Sequence, residues 1–238
     1  MRRALPLLLL LLWSATAAAH DFKPPPLTYK VSEAAGGPKA LYERTRAIRF
    51  TFVVEAQGKR AMEAKHDWDL VAQTDHITWR GPEGAWDVVV HTGQQRALRA
   101  TLDGEPLDAA RQAEAAKLAY QRWVNDSYWL LMPIKLLDDG ALTRELGPGQ
   151  LDGQPVLQLN LAFKAVGLTP GDEYTLFIDP ATHRVREWEL RLQGRADNPT
   201  RVTWEQHQTF GPLTLALNHR WRDGSKRLFF EGVEVTPR

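Results

Sequence analysis

From Ile48 to Val235 the chain keeps repeating one pattern: a short β-prone stretch, then glycine, proline or an aspartate turn. IRFTFVVEAQ (48–57) ends at Gly58, WDVVVHT (86–92) ends at Gly93, and ALRATL (97–102) runs into Asp103-Gly104. HDWDL and HITW flank AQTD, and five further stretches follow at 156–163, 173–179, 184–192, 201–210 and 213–221, with a last one at 226–235. Spacings of about ten residues with this punctuation predict an antiparallel meander. A sheet of about ten strands has to curl. The expected fold is therefore mainly β with helices (α+β): a strongly curved antiparallel meander forming an incomplete barrel.

The C-terminal segments allow a register to be written down. With Gly211-Pro212 at a hairpin tip, Trp204 faces His219, Glu205 faces Asn218, Gln208 faces Leu215 and Phe210 faces Leu213. One face is then apolar and aromatic and the other polar, as the pleat period of two requires when one face is buried. The Asp223-Gly224 turn places Leu228 beside His219. Upstream, Tyr174, Leu176 and Ile178 share parity with Trp188, Leu190 and Leu192, and matching those faces requires an odd loop or a bulge.

One segment breaks the strand pattern. Residues 107–124 place Ala109, Ala113, Ala116, Tyr120 and Trp123 on one helical stripe, with Asp108 as N-cap. This helix is expected to pack in the concave face. A shorter helix is possible around Pro38 to Thr45. Asn125-Asp126-Ser127 reads as the break that ends the long helix. Tyr128 to Met132 then reads as an extended stretch with both faces apolar, covered by core or by a guest.

The N-terminal residues read as a leader. MRR, the apolar run Leu5 to Trp13 and the small residues Ala17 and Ala19 have the order of a cleaved secretory signal peptide, 1–19. No cysteine follows, so a lipid anchor is not expected. The expected location is the periplasm, with no transmembrane segment after cleavage. Residues 20–38, with Pro24 to Pro26 and Gly36-Gly37-Pro38, read as an extended Pro/Gly-rich arm. Residues 39–238 read as a single half-barrel domain. The chain has no cysteine, so its core must hold it without disulfides. Without Arg2 and Arg3 it carries 28 basic and 29 acidic residues, a balance that gives no field for nucleic acid.

Candidate chemistry is sparse. None of the seven histidines has helical i, i+4 spacing or a carboxylate in a known ligand pattern, so no metal or other cofactor is expected. HDWD (66–69) places Asp67 and Asp69 on one strand face and His66 and Trp68 on the other. Such paired carboxylates suit acid–base work in an envelope hydrolase, or simply a solvent-facing edge. Ser127 lacks a glycine-flanked elbow. The nine tryptophans, eight beyond the leader, imply a wide space between helix and sheet. If they do not fill it, an apolar pocket remains. Its candidate lining is Trp123, Tyr128, Trp129, Leu131, Met132 and Trp204.

Arg46-Ala47-Ile48-Arg49-Phe50-Thr51-Phe52, the mid-chain helix, the run Gly171 to Pro180 before a hairpin and Glu187-Trp188-Glu189 after it carry a family likeness. With the exported leader, they resemble the periplasmic outer-membrane lipoprotein-sorting, LolA/LolB-like half-barrel superfamily. The stretch 123–133 looks like a branch distinct from the lipoprotein carriers. The resemblance implies a concavity lidded by helices and able to hold acyl chains. The expected function is a non-enzymatic binding or carrier protein that shields a hydrophobic small molecule or acyl chain. The alternatives are a structural module that docks an envelope protein partner through residues 22–26, and the hydrolase using Asp67 and Asp69.

Overall fold

The computed structural model describes residues 22–164, 168–169, 171–192 and 199–238. The leader and His20 lie outside the described residues. Helices α1 (Pro26–Ala34) and α2 (Gly37–Tyr42) come first. Strands β1 (Thr45–Ala56), β2 (Lys59–Asp69), β3 (Thr74–Gly81), β4 (Gly84–His91), β5 (Arg96–Leu102) and β6 (Glu105–Pro106) follow as a meander. The long helix α3 (Ala109–Lys135) then precedes β7 (Ala141–Leu151), β8 (Gln154–Phe163), β9 (Glu173–Ile178), β10 (Val185–Arg191) and β11 (Thr200–Thr203). The chain ends in β12 (Glu205–Phe210), β13 (Leu213–Arg220) and β14 (Lys226–Pro237).

The strands form two antiparallel sheets that do not close. Nine strands run in the order β12-β13-β14-β1-β2-β3-β4-β5-β6, and five in the order β11-β10-β9-β8-β7. Only Trp204 separates β11 from β12, so one stretch of chain passes from one sheet into the other, helped by a bridge between Val202 and Trp221. The curved meander is thus an incomplete barrel in two pieces. The register read from the C-terminal sequence is present: Glu205 pairs with Asn218, Gln208 with Leu215, Phe210 with Leu213 and His219 with Leu228. The bulge required after β9 is there too, between Val185 and Glu187, and it sets Trp188 opposite Leu176 and Leu190 opposite Tyr174.

Helix α3 fills the concave side. Its first half lays Ala115 and Ala119 against Ile77, Val88, Val90 and Ala100. Its second half lies between the sheets. Leu130, Leu131 and Ile134 meet Ile48, Phe50, Trp68 and Leu215 of the nine-stranded sheet. Met132 meets Leu159, Leu176 and Trp188 of the five-stranded one. Asp108 caps the helix by accepting from the Arg111 N–H at 2.9 Å. Asp108→Ala should therefore cost about 1 kcal/mol, read by urea unfolding, with no change in β-sheet circular dichroism.

Three local expectations need correction. The helix does not stop at Val124: residues 128–132, expected to be extended, are its continuation, and Pro133 lies inside it. Burying Leu130, Leu131, Met132 and Ile134 contributes roughly 1.5–3 kcal/mol each, which outweighs the roughly 3 kcal/mol cost of a helical proline. A helix apolar on every side is a helix buried on every side. The buried stripe keeps Ala116, with Tyr120 and Trp123 packed against the core, but starts differently: Ala109 and Ala113 are exposed, while Ala115 and Ala119 are enclosed. Alanines surround this part of the helix, so their spacing alone does not choose a face. Finally, the expected extended arm is helical from Pro26. Proline at the first helical turn forfeits no hydrogen bond, because that N–H has no partner in a helix anyway. Leu27 and Val31 enter the core, and Thr28 Oγ1 lies 2.8 Å from Thr143 Oγ1. Gly36 separates α1 from α2 at φ 115°, where a Cβ would sit 2.5 Å from the Pro212 carbonyl oxygen.

Candidate functional site

Between the second half of α3 and the five-stranded sheet the side chains do not quite meet. A cavity of about 420 Å³ remains there. Val124, Asn125, Tyr128 and Trp129 of α3 border it on one side, and Phe163, Tyr174, Trp188, Leu190 and Leu192 on the other. Leu168, Thr169, Asp172, Thr200, Trp221 and Lys226 complete the described lining. The strand pleat explains the sheet side: Trp188 and Leu190 are alternate residues of β10, the bulge at Arg186 sets Leu190 opposite Tyr174 of β9, and Leu192 follows directly after β10. The walls are braced by rings, Trp129 edge-on to Trp188 at 4.6 Å and Tyr128 edge-on to Phe163 at 5.8 Å.

A smaller space of about 260 Å³ lies beside the first. Tyr120, Trp123, Ser127, Lys135, Asp138, Asp139 and Ala141 border it. Val124, Tyr128 and Phe163 border both spaces. Tyr128 therefore stands at the partition. Its hydroxyl is buried and meets no hydrogen-bond partner among the described residues.

The six expected lining residues divide. Tyr128 and Trp129 line the larger cavity, and Trp123 with Tyr128 the smaller one. Leu131, Met132 and Trp204 do not border either; they are closed core, with Trp204 packed edge-on against Trp188 at 5.1 Å. Helical periodicity puts Leu131 and Met132 within about 60° of Tyr128 but one turn further along α3, where core residues of the two sheets close over them. Tyr174, Trp188, Leu190 and Leu192 were missed, although their shared parity was already visible in the sequence.

The carboxylates of HDWD are on the outer side. Asp67 pairs with Arg49 at 3.1 Å, and Asp69 with Arg46 at 3.8 Å while also accepting from the Val71 and Ala72 N–H groups. They border a polar depression with His76, where both are already committed to neighbouring cations. His66 is the unexpected member. It faces inward, with side-chain nitrogens 2.7 Å from Asp75 and 3.1 Å from Asp126, and stacks on Phe50 at 4.5 Å. Arg122 approaches Asp126 at 4.0 Å, and Asn125 donates to it. Burial opposes the imidazolium, but the two carboxylates outweigh it and raise the His66 pKa to about 9. His66 and Asp75 have no accessible side-chain surface, so no substrate meets them; the array ties α3 to β2 and β3. No group of three His, Cys, Asp or Glu among the described residues is placed to hold a metal ion. Nor is any described helix long and apolar enough to cross a membrane.

No protein-family model matches the chain, and no curated protein does. Solved structures do. A DUF1329 family protein from Desulfovibrio piger superposes with a TM-score of 0.50 at 10% identity, covering 90% of this chain and 93% of that one. A LolA superfamily protein from Nitrosomonas europaea superposes with a TM-score of 0.51 at 8% identity, covering 88% of this chain and 92% of that one. The likeness runs the length of both molecules and is one of architecture: this chain has a LolA-like fold, an open half-barrel with helices against its concave face.

Proposed function

We propose that the protein is a non-catalytic carrier of the cell envelope that shelters an apolar, lipid-like molecule under α3. The observation behind this reading is the cavity of about 420 Å³ walled by Tyr128, Trp129, Phe163, Trp188, Leu190 and Leu192. Ligand sites run from roughly 300 to 1,000 Å³ and are mostly apolar with few polar groups, and this cavity answers to that description. The protein from Nitrosomonas europaea is described as a member of the LolA superfamily, which agrees with an envelope setting. So does the leader-like sequence of residues 1–19.

The test is uptake of the fluorescent probe N-phenyl-1-naphthylamine, displacement of that probe by acyl compounds, and native mass spectrometry of the complexes. Saturable uptake with displacement supports the reading. No uptake of the probe or of any acyl compound removes it. Val124 borders both spaces, so an indole placed there takes up ligand volume. Val124→Trp is expected to weaken uptake by about tenfold or more, equivalent to about 1.4 kcal/mol. Unchanged uptake would place the ligand elsewhere.

A further inference from the structure

We propose that the Tyr128 hydroxyl is the polar selector of this cavity, donating its hydrogen bond to the neutral carbonyl of an acyl ester or amide and disfavouring free carboxylates. The inference rests on the carrier reading above and adds the chemical class of the ligand.

Three observations carry it. Tyr128 sits where the two spaces meet, so a chain-like ligand running along α3 from one into the other passes it. Its ring is partly accessible, yet its oxygen is enclosed and lacks a hydrogen-bond partner among the described residues. A buried hydroxyl without a partner is a penalty that a structural role does not explain and that an arriving acceptor relieves. Burial, with Tyr174 and Asp138 nearby, holds this phenol well above its ordinary pKa, so it remains a donor.

The charges around it set the kind of acceptor. Asp138 and Asp139 border the smaller space with Lys135 as the cation among its described residues, and Lys226 borders the larger one. Lys135 is paired with Asp138 at 3.4 Å. A carboxylate entering the smaller space would give up its hydration beside two carboxylates whose one described cation is already committed, and this is unfavourable. A neutral carbonyl accepts the same hydrogen bond without that penalty.

The experiment compares 1-monooleoylglycerol, N-oleoylethanolamide and oleate as displacers of N-phenyl-1-naphthylamine, on the wild type and on Tyr128→Phe. The wild type should bind the ester or the amide several-fold more tightly than oleate; the two neutral arms show which carbonyl is preferred. Tyr128→Phe should lose about 3- to 10-fold for the preferred neutral ligand, since one net hydrogen bond is worth about that much. The loss is read as the ratio of neutral-ligand to probe affinity within each protein, and the variant's Tm should be unchanged or higher. Equal or tighter binding of oleate overturns the proposal. So does a Tyr128→Phe variant that binds the neutral ligands as the wild type does, loses probe and ligand alike, or melts several degrees lower, since that last result shows the hydroxyl serves the fold. Failure of the wild type to take up the probe or any of the three compounds instead removes the carrier reading.

Discussion

Replacing His66 by alanine is expected to lower the unfolding free energy by about 3–5 kcal/mol, the cost of taking the cation out of a buried charge array. The expectation follows from what is left behind. Asp75 and Asp126 each lie within 3.1 Å of the imidazole, with side chains almost fully enclosed, and Asp75 Oδ1 already lacks a partner among the described residues. Without the imidazolium, two carboxylates face a new void, and Arg122, at 4.0 Å from Asp126, is too far away to serve both. The loss should be smaller when the array is dismantled together. In His66→Ala/Asp75→Asn/Asp126→Asn the stranded charges are gone, and much of the stability should return. The pH dependence supplies an independent check. The folded pKa of His66, about 9, is above the unfolded value of 6.5. Its stabilisation is fully present below pH 6.5 and is lost as pH rises through 9. Urea unfolding of the wild type should show that alkaline decline, and His66→Ala should not. A loss under 1 kcal/mol from His66→Ala would mean that the array is not charged in the folded protein.

This array also marks where sequence reading stopped. Registers in the C-terminal hairpins could be written down because pleat parity is local: Phe210 and Leu213 find each other across two residues, and the next turn fixes Leu228 against His219. The bulge before Trp188 was legible for the same reason. Asp126 was not. Its partner His66 lies sixty positions away, so a polar residue that continues a helix looked like one that ends it. The misread helix then moved the site. A strand at 128–132 presents apolar residues to both sides along its whole length, whereas in the helix Tyr128 and Trp129 border the cavity and the next turn, with Leu131 and Met132, is closed core. Strand β7 was missed through Gly147-Pro148-Gly149, which reads as a turn. It is an edge strand with a bulge between Glu145 and Gly147, and an edge accommodates a proline that a central strand would not.

His219 should produce the opposite pH limb. Its Nδ1 donates to the Thr203 carbonyl at 3.2 Å, which leaves Nε2 with a lone pair and no partner among the described residues. Around it stand Trp204, Trp129 and Phe230, with ring centroids at 4.5, 5.5 and 5.9 Å. Burial therefore disfavours the imidazolium and, only partly offset by the Thr203 carbonyl, lowers the pKa from 6.5 to about 3. Between those values the unfolded chain binds a proton that the folded one refuses. Stability is thus present above pH 6.5 and lost as pH falls toward 3. The slope approaches about 1.4 kcal/mol per pH unit. From pH 6.5 to 5 the loss should be about 1.5–2 kcal/mol, before carboxylate protonation dominates the acid limb. His66 offsets only about 0.4 kcal/mol of the loss over that interval, since its folded form is already charged and its unfolded form completes its protonation just below pH 6.5. His207, lowered by burial and by Arg184, adds to it with the same sign. His219→Gln keeps an amide donor for Thr203 but cannot titrate, so most of the slope should vanish, and the rest should go in the double variant with His207→Gln. A wild type that is flat from pH 6.5 to 5, or a slope that survives in the double variant, would overturn the assignment. One histidine stabilises the fold only as a cation and the other only as a neutral ring. The stability maximum should therefore lie near the unfolded histidine pKa, close to neutrality, even though the two residues sit on adjoining parts of the same sheet face.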